Sequence, residues 1–210
     1  LGAGLATLVV GVALVGGWAR LSGTTPSAMA LLGLVSAGAL AIRDEILFRG
    51  LPILFAHRAG LPLGYGVVFG VLVAPSNFLL TERVTPEAVV LAMALGALAG
   101  ALFVRKHGLW AAVAAHAGFV AVAGVLTRGA LIEVTWQQGE LGAGLAARGA
   151  TAWLMAALFS AAALVVWRGR TSAPDKTPAP SVAPKRKEGA RTPAPSVAPK
   201  RKEGARKTKT

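Results

Sequence analysis

Residues 86–105 read PEAVVLAMALGALAGALFVR, and no charged residue stands between Ala88 and Val104. An α-helix needs about 20 apolar residues to cross the hydrocarbon core of a bilayer, so this stretch predicts a transmembrane helix. The composition of the whole chain agrees, because 54% of its 210 residues are apolar and only 15% are charged. The sequence therefore predicts a membrane protein instead of a soluble domain.

Apolar runs of similar length occur throughout the chain. The predicted spans cover residues 1–19, 27–48, 62–80, 86–105, 108–126 and 150–168. The expected fold class is all-α, a polytopic bundle of about six transmembrane helices with a disordered C-terminal tail. The glycine pairs Gly66/Gly70 and Gly96/Gly100 are spaced to let helices approach closely, although simple tolerance of glycine in membranes explains them equally well. Because the first residue is Leu1 and not Met, we expect a missing upstream segment.

The distribution of basic residues predicts the orientation. The segment 49–58, taken as a short loop, carries Arg49 and Arg58, and the turn 105–107 reads Arg-Lys-His, whereas 81–87 has two acids around one arginine. Short cytoplasmic loops are enriched in Lys and Arg. We therefore expect a multi-pass protein of a bacterial cytoplasmic membrane with its C-terminus inside and the loop 127–149 outside.

The C-terminal tail has its own composition. The sequence TPAPSVAPKRKEGAR at 177–191 recurs unchanged at 192–206, and from residue 168 onward 13 Lys and Arg stand against three acids. Such a repeat cannot bury a core and is predicted to be disordered. It is expected to contact anionic lipid or to act as a solvated topogenic anchor, with no specific nucleic-acid partner. The expected units are 1–26 (first helix and loop), 27–126 (core), 127–170 (outward loop and last helix) and 171–210 (tail).

A charged cluster, Ile42-Arg43-Asp44-Glu45-Ile46-Leu47-Phe48-Arg49-Gly50, interrupts the second span. Each charge costs about 2.5–3.5 kcal/mol at the membrane centre, so such groups are paired or functional. Glu45 and Arg49 are four residues apart in the order that favours an ion pair. Asp44 then projects about 100° away, and a partly desolvated carboxylate suits a general base. Alternatively, the cluster is an interfacial cap in which Arg43 and Arg49 snorkel.

His116 is the one strongly polar residue between Trp110 and Leu126 in the fifth span. It lies about 12 Å from the start of that span at 1.5 Å per residue, whereas Asp44 is expected to lie less deep, about one helical turn in from Arg49. We expect it to meet Asp44 in a cavity open to the cytoplasm. The alternative is a histidine that merely bonds to a neighbouring helix.

These residues resemble the motifs of the CAAX protease and bacteriocin-processing family of intramembrane endopeptidases. Its first motif, EExxxR, stands here as Asp44-Glu45-Ile-Leu-Phe-Arg49. Its second motif, FxxxH, aligns with residues 69–73, and its third, HxxxN, with 116–120. The resemblance covers about residues 36–126. In these two motifs Val73 and Val120 stand where the family has His and Asn.

The resemblance implies an endopeptidase that cleaves a peptide or membrane-protein substrate. Asp44 takes the place of the carboxylate that activates water, Glu45 and Arg49 support it, and His116 orients water or stabilises the oxyanion. Two alternatives stay open. The chain is an inactive relative that binds a membrane partner, as the valines at motif positions suggest, or a small transporter in which Asp44 and His116 relay protons.

Cofactor chemistry has little support in the sequence. The zinc motif HExxH, a glycine-rich phosphate loop and a GxSxG elbow are all missing, and there is no cysteine. Asp44, Glu45 and His116 are the only clustered candidates for a metal site. We therefore expect no cofactor and no metal ion.

Overall fold

A computed structural model describes residues 1–24, 27–78, 84–128, 131–141 and 147–169. The predicted tail, 171–210, lies outside these residues. Within them the chain is mostly helical, with one small sheet. The elements are α1 (Gly2–Val15), β1 (Ala19–Gly23), α2 (Met29–Glu45), α3 (Leu51–Arg58), α4 (Leu63–Val73), α5 (Pro86–Leu102), α6 (Gly108–Val120), β2 (Glu133–Trp136) and α7 (Gly149–Arg168).

The helical membrane fold predicted from the sequence is confirmed. Three helical stretches are long and apolar enough to cross a bilayer: Pro86–Arg105, Gly108–Leu126 and Gly149–Arg168. They coincide with the last three predicted spans. Two other apolar helices are shorter, because α1 has 14 residues and α4 has 11. The total of six spans stays a prediction.

The predicted loop at residues 49–58 is wrong. A π-helical turn, Ile46–Gly50, connects α2 directly to α3, so the chain stays helical as far as Arg58. Pro52 explains the wide turn, because proline has no N–H to give to the carbonyl four residues earlier. The acid pair therefore lies near the middle of a long helical stretch and not at its end, and Arg49 is only 3% exposed.

Glycines allow α4 to pack tightly on its neighbours. A Cβ atom on Gly66 would lie 2.7 Å from the Cα of Ile53, and one on Gly70 would overlap the carbonyl oxygen of Phe48. A Cβ on Gly100 would lie 2.7 Å from a methyl carbon of Val67. The glycine pairs thus serve close helix approach, the first of the two explanations that the sequence allowed.

The main core lies where α5 packs on α6 and α7, with α1 against α6 and α7. Leu98, Met155 and Phe159 are fully buried there, and the rings of Phe119 and Phe159 meet edge to face with centroids 5.3 Å apart. The start of α5 is fixed by Thr85, whose hydroxyl accepts a hydrogen bond from the backbone N–H of Ala88. This core holds α5 and α6, which carry much of the candidate site.

Strands β1 and β2 form a two-stranded antiparallel sheet that the sequence did not predict. Ala19 pairs with Trp136 and Leu21 with Val134. The sheet lies at the end of the bundle where α1 and α6 finish, and we call this the sheet end. Helices α5 and α7 also begin there, because Arg148 pairs through its backbone with Glu140, four residues after β2, and the Thr85 hydroxyl donates to the carbonyl of Ala147. The opposite end holds residues 105–107 and the last turn of α7, and we call it the basic end.

Candidate active site

Glu45 is the centre of a buried polar cluster. Its side chain is 0% exposed, and its Oε1 accepts a hydrogen bond from Nη1 of Arg49 at 3.1 Å. The same oxygen lies 2.9 Å from Nδ1 of His116. The carboxylate accepts from this nitrogen when the imidazole carries its proton there, which leaves the ring's other nitrogen, Nε2, outside the contact.

Local structure brings these groups together. Glu45 ends α2, and the π-helical turn that follows places Arg49 on the same side, so the guanidinium reaches back to the carboxylate. Arg49 also packs on α5 at Gly96, where a Cβ would lie 3.0 Å from Nη2. Glu45 Oε2 and Arg49 Nε are buried without a hydrogen-bond partner in the described residues. The pair is therefore held by one oxygen, which is shared with His116.

Asp44 has a different environment from its neighbour. Its side chain is 14% exposed, and its Oδ1 accepts a hydrogen bond from Nε of Arg43 at 2.8 Å and lies 2.7 Å from Nη2 of the same guanidinium. The Arg43 side chain is 55% exposed. Asp44 is thus the accessible acid of the adjacent pair, whereas Glu45 is enclosed.

Asp44 and His116 line one cavity of about 270 Å³. The polar part of its wall comes from Arg43, Asp44, Arg49 and His116. The rest of the wall is apolar: Leu40, Phe48, Ala74, Ala88, Leu91, Ala92, Leu95, Phe119 and Val120. The volume suffices for several water molecules or a short stretch of peptide at roughly 30 Å³ per water.

The structure brings together the site residues predicted from the sequence, namely Asp44, Glu45, Arg49 and His116. The alternative in which Arg49 snorkels at the interface is wrong, because that side chain is buried. Asp44 was expected to lie less deep than His116. The Glu45–His116 contact instead puts both acids level with the histidine, since α3 adds eight residues beyond the π-helical turn.

The motif positions that carry valine differ in their placement. Val120 lines the cavity as expected, but Val73 does not, and the wall is formed there by its neighbour Ala74. Sequence reasoning also missed the contact of Arg43 with Asp44, having treated Arg43 only as an interfacial charge. The two residues are adjacent in the sequence, which could have indicated the pair. Neighbours in sequence do not ordinarily face each other on a helix, however, so the contact was not expected.

The cavity extends toward the sheet end. Its wall on α5 comes from Ala88 to Leu95, in the first half of that helix. The basic residues are at the other end, where Gly169 lies against the guanidinium of Arg105. The cytoplasmic C-terminus and the cytoplasm-facing cavity both stay predictions.

In the described ranges, three or more His, Asp or Glu side chains do not gather in a group that could hold a metal ion. The side chains of the cluster are suited to proton transfer, because the carboxylate of Asp44 is accessible and the imidazole of His116 is held by Glu45.

Part of this chain is similar to a known protein family. Residues 25–122 match the family model of the Rce1-like type II CAAX prenyl endopeptidases. The matched stretch contains Asp44, Glu45, Arg49 and His116 and confirms the resemblance read from the motifs. No curated protein and no solved structure matches the chain. Residues 25–122 of this helical membrane protein are thus similar to the Rce1-like type II CAAX prenyl endopeptidases.

Proposed function

We propose that the chain is an intramembrane endopeptidase in which Asp44 activates water and His116 assists. The observation that carries this proposal is the cavity that Asp44 and His116 share within an apolar bundle, beside the buried Glu45–Arg49 pair. A charged cluster at this depth is expensive, and participation in a reaction explains why it is present. The match of residues 25–122 to a peptidase family model supports the same conclusion.

The proposed reaction uses only the residues of the cavity and one water molecule. Asp44 takes a proton from water, and the hydroxide attacks the carbonyl carbon of the scissile peptide. The proton then passes to the leaving nitrogen, the C–N bond breaks, and the products are a carboxylic acid and an amine. While Glu45 holds the proton on Nδ1, Nε2 of neutral His116 accepts a hydrogen bond and so orients the water, and in the doubly protonated ring Nε2 donates to the developing oxyanion. A positioned general base contributes roughly 10²–10⁴-fold to the rate.

A second candidate function, that of an inactive family member that binds a membrane partner, has support from two features of the cavity. Val120 adds no hydrogen-bond donor to its wall, and Oδ1 of Asp44 is already paired with Arg43. An oxyanion without such a donor loses roughly 10²–10³-fold in rate. One cleavage experiment separates the two candidate functions.

That experiment incubates the purified chain with a library of quenched membrane peptides in proteoliposomes, with mass spectrometry of the products. Asp44→Asn is the test variant, and Glu133→Gln, an exposed position on β2, is the matched control. We expect cleavage by the wild type and by Glu133→Gln and a loss of at least about 10²-fold in Asp44→Asn. Equal, background-level cleavage by all three would favour the inactive member.

For the orientation, we propose that the C-terminus is cytoplasmic and that the cavity is directed toward the opposite face. The basic end holds Arg105, Lys106 and Arg168. From Arg168 onward the sequence has 13 Lys and Arg but only three acidic residues, and basic residues favour the cytoplasmic side. The tail would then lie next to the anionic leaflet. The proposed substrate bond is therefore in the outer half of the membrane.

The lack of native cysteine makes this orientation directly testable. Single-cysteine variants Glu133→Cys, at the sheet end, and Thr210→Cys, in the tail, are labelled with an impermeant maleimide on intact cells. We expect the cysteine at 133 to react at once and the one at 210 to react only after permeabilisation. The reverse order would overturn the proposed orientation.

A further inference from the structure

Arg43 has a position that the proposed reaction does not explain. Both of its contacts go to one oxygen, Oδ1 of Asp44, at 2.7 and 2.8 Å. In the described part of the chain, Asp44 is its one ion-pair partner. Arg43 and Asp44 line the same cavity.

The contact opposes the role of Asp44 as a base. Nε and Nη2 of Arg43 both lie within 2.8 Å of Oδ1, so they occupy the space from which a water molecule would hydrogen-bond to that oxygen. Arg43 must therefore withdraw, at least in part, before water can reach Oδ1, and until then only the second oxygen of Asp44 can act as a base.

Little free energy is lost when Arg43 leaves Asp44 for a second anion. Arg43 is 55% exposed, and an ion pair with one exposed member contributes little that a competing carboxylate could not replace. The guanidinium fork fits a carboxylate through two parallel hydrogen bonds, whereas Asp44 engages it through only one oxygen.

We propose that Arg43 is a specificity residue that binds a carboxylate of the substrate and thereby releases Asp44. This inference rests on the proposed function. A substrate with a carboxylate close to the scissile bond pairs with Arg43, and Asp44 is then free for water. A substrate without one leaves the Arg43–Asp44 pair in place and is cleaved slowly. The carboxylate can come from the chain terminus or from an acidic side chain.

The test compares three matched peptides on the full chain in proteoliposomes: a free C-terminal acid, its C-terminal amide, and the amide with one glutamate next to the scissile bond. For the wild type we expect kcat/KM to be roughly 10- to 150-fold higher for the preferred acid than for the plain amide, the range expected for hydrogen bonds to a charged group. The terminal acid and the glutamate peptide identify the source of the carboxylate. In Arg43→Gln the preference disappears and the plain amide is cleaved faster than by the wild type.

Arg58→Gln, which removes an exposed arginine of α3, is the matched control and keeps the wild-type preference. The inference is overturned if Arg43→Gln retains the preference, or if it lowers the rates for all three peptides equally. Binding of the same peptides with a reduced, uncleavable bond gives a readout that does not depend on proteolysis. If the wild type cleaves nothing, the proposed function fails, whereas acid-selective binding that is lost in Arg43→Gln still supports Arg43, and unselective binding overturns it.

Discussion

Replacing Glu45 by alanine tests how the buried cluster is held together. Arg49 is 3% exposed, and among the described residues Glu45 is its one ion-pair partner. Removing one partner of a buried ion pair costs about 3–5 kcal/mol, because the remaining charge is neither solvated nor paired. Glu45→Ala also removes the hydrogen bond to His116, worth about 1 kcal/mol. We therefore expect the free energy of unfolding to fall by about 4 kcal/mol or more.

The double variant Glu45→Leu/Arg49→Leu separates the burial of a charge from the loss of packing. Because both charges leave together, we expect its stability to lie close to that of the wild type, or above it. Arg128→Ala breaks the half-exposed Arg128–Glu140 pair and serves as a control that costs only about 0–1 kcal/mol.

Unfolding is followed by tryptophan fluorescence during detergent denaturation, since the chain has five tryptophans. Two results would refute the reasoning. One is a Glu45→Ala variant within about 1 kcal/mol of the wild type, the size of a single ordinary hydrogen bond. The other is a double variant that is as unstable as Glu45→Ala.

Two further predictions concern packing and the cavity wall. Gly70→Ala places a methyl group on the carbonyl of Phe48 and should cost about 1–3 kcal/mol in the same denaturation assay, whereas Gly38→Ala, in open space on α2, should be neutral or stabilising. Val120→Asn adds a donor to the cavity wall and should raise the cleavage rate by up to roughly 10²-fold, whereas Val73→His, outside the wall, should not. A gain in Val73→His with none in Val120→Asn would contradict the placement of the two residues.

The transmembrane bundle and the composition of the site could be predicted from the sequence, because both depend on strong local signals. Long apolar runs specify helices at 86–105, 108–126 and 150–168, and these are present. Glu45 and Arg49 pair because four residues nearly complete a helical turn, which needs no knowledge of the fold. His116 was identified from its isolation in an apolar span, and it joins the same cluster.

Other features depend on contacts that no local pattern encodes. The sheet pairs residues more than 100 positions apart through strands of five and four residues, too short for a clear alternation. Residues 49–58 were predicted to be a basic loop. The chain is helical there, because a π-helical turn accommodates Pro52. The side to which the cavity extends depends on which half of α5 forms its wall.

The proposal that Asp44 activates water is tested most directly by single-turnover cleavage of one identified substrate in proteoliposomes, which isolates the chemical step. Asp44→Asn keeps the shape of the side chain and removes the basic carboxylate. We expect the single-turnover rate to fall by roughly 10²–10⁴-fold, with peptide binding within about threefold of the wild type. A rate in Asp44→Asn within a factor of a few of the wild-type rate would contradict the assignment of Asp44 as the base.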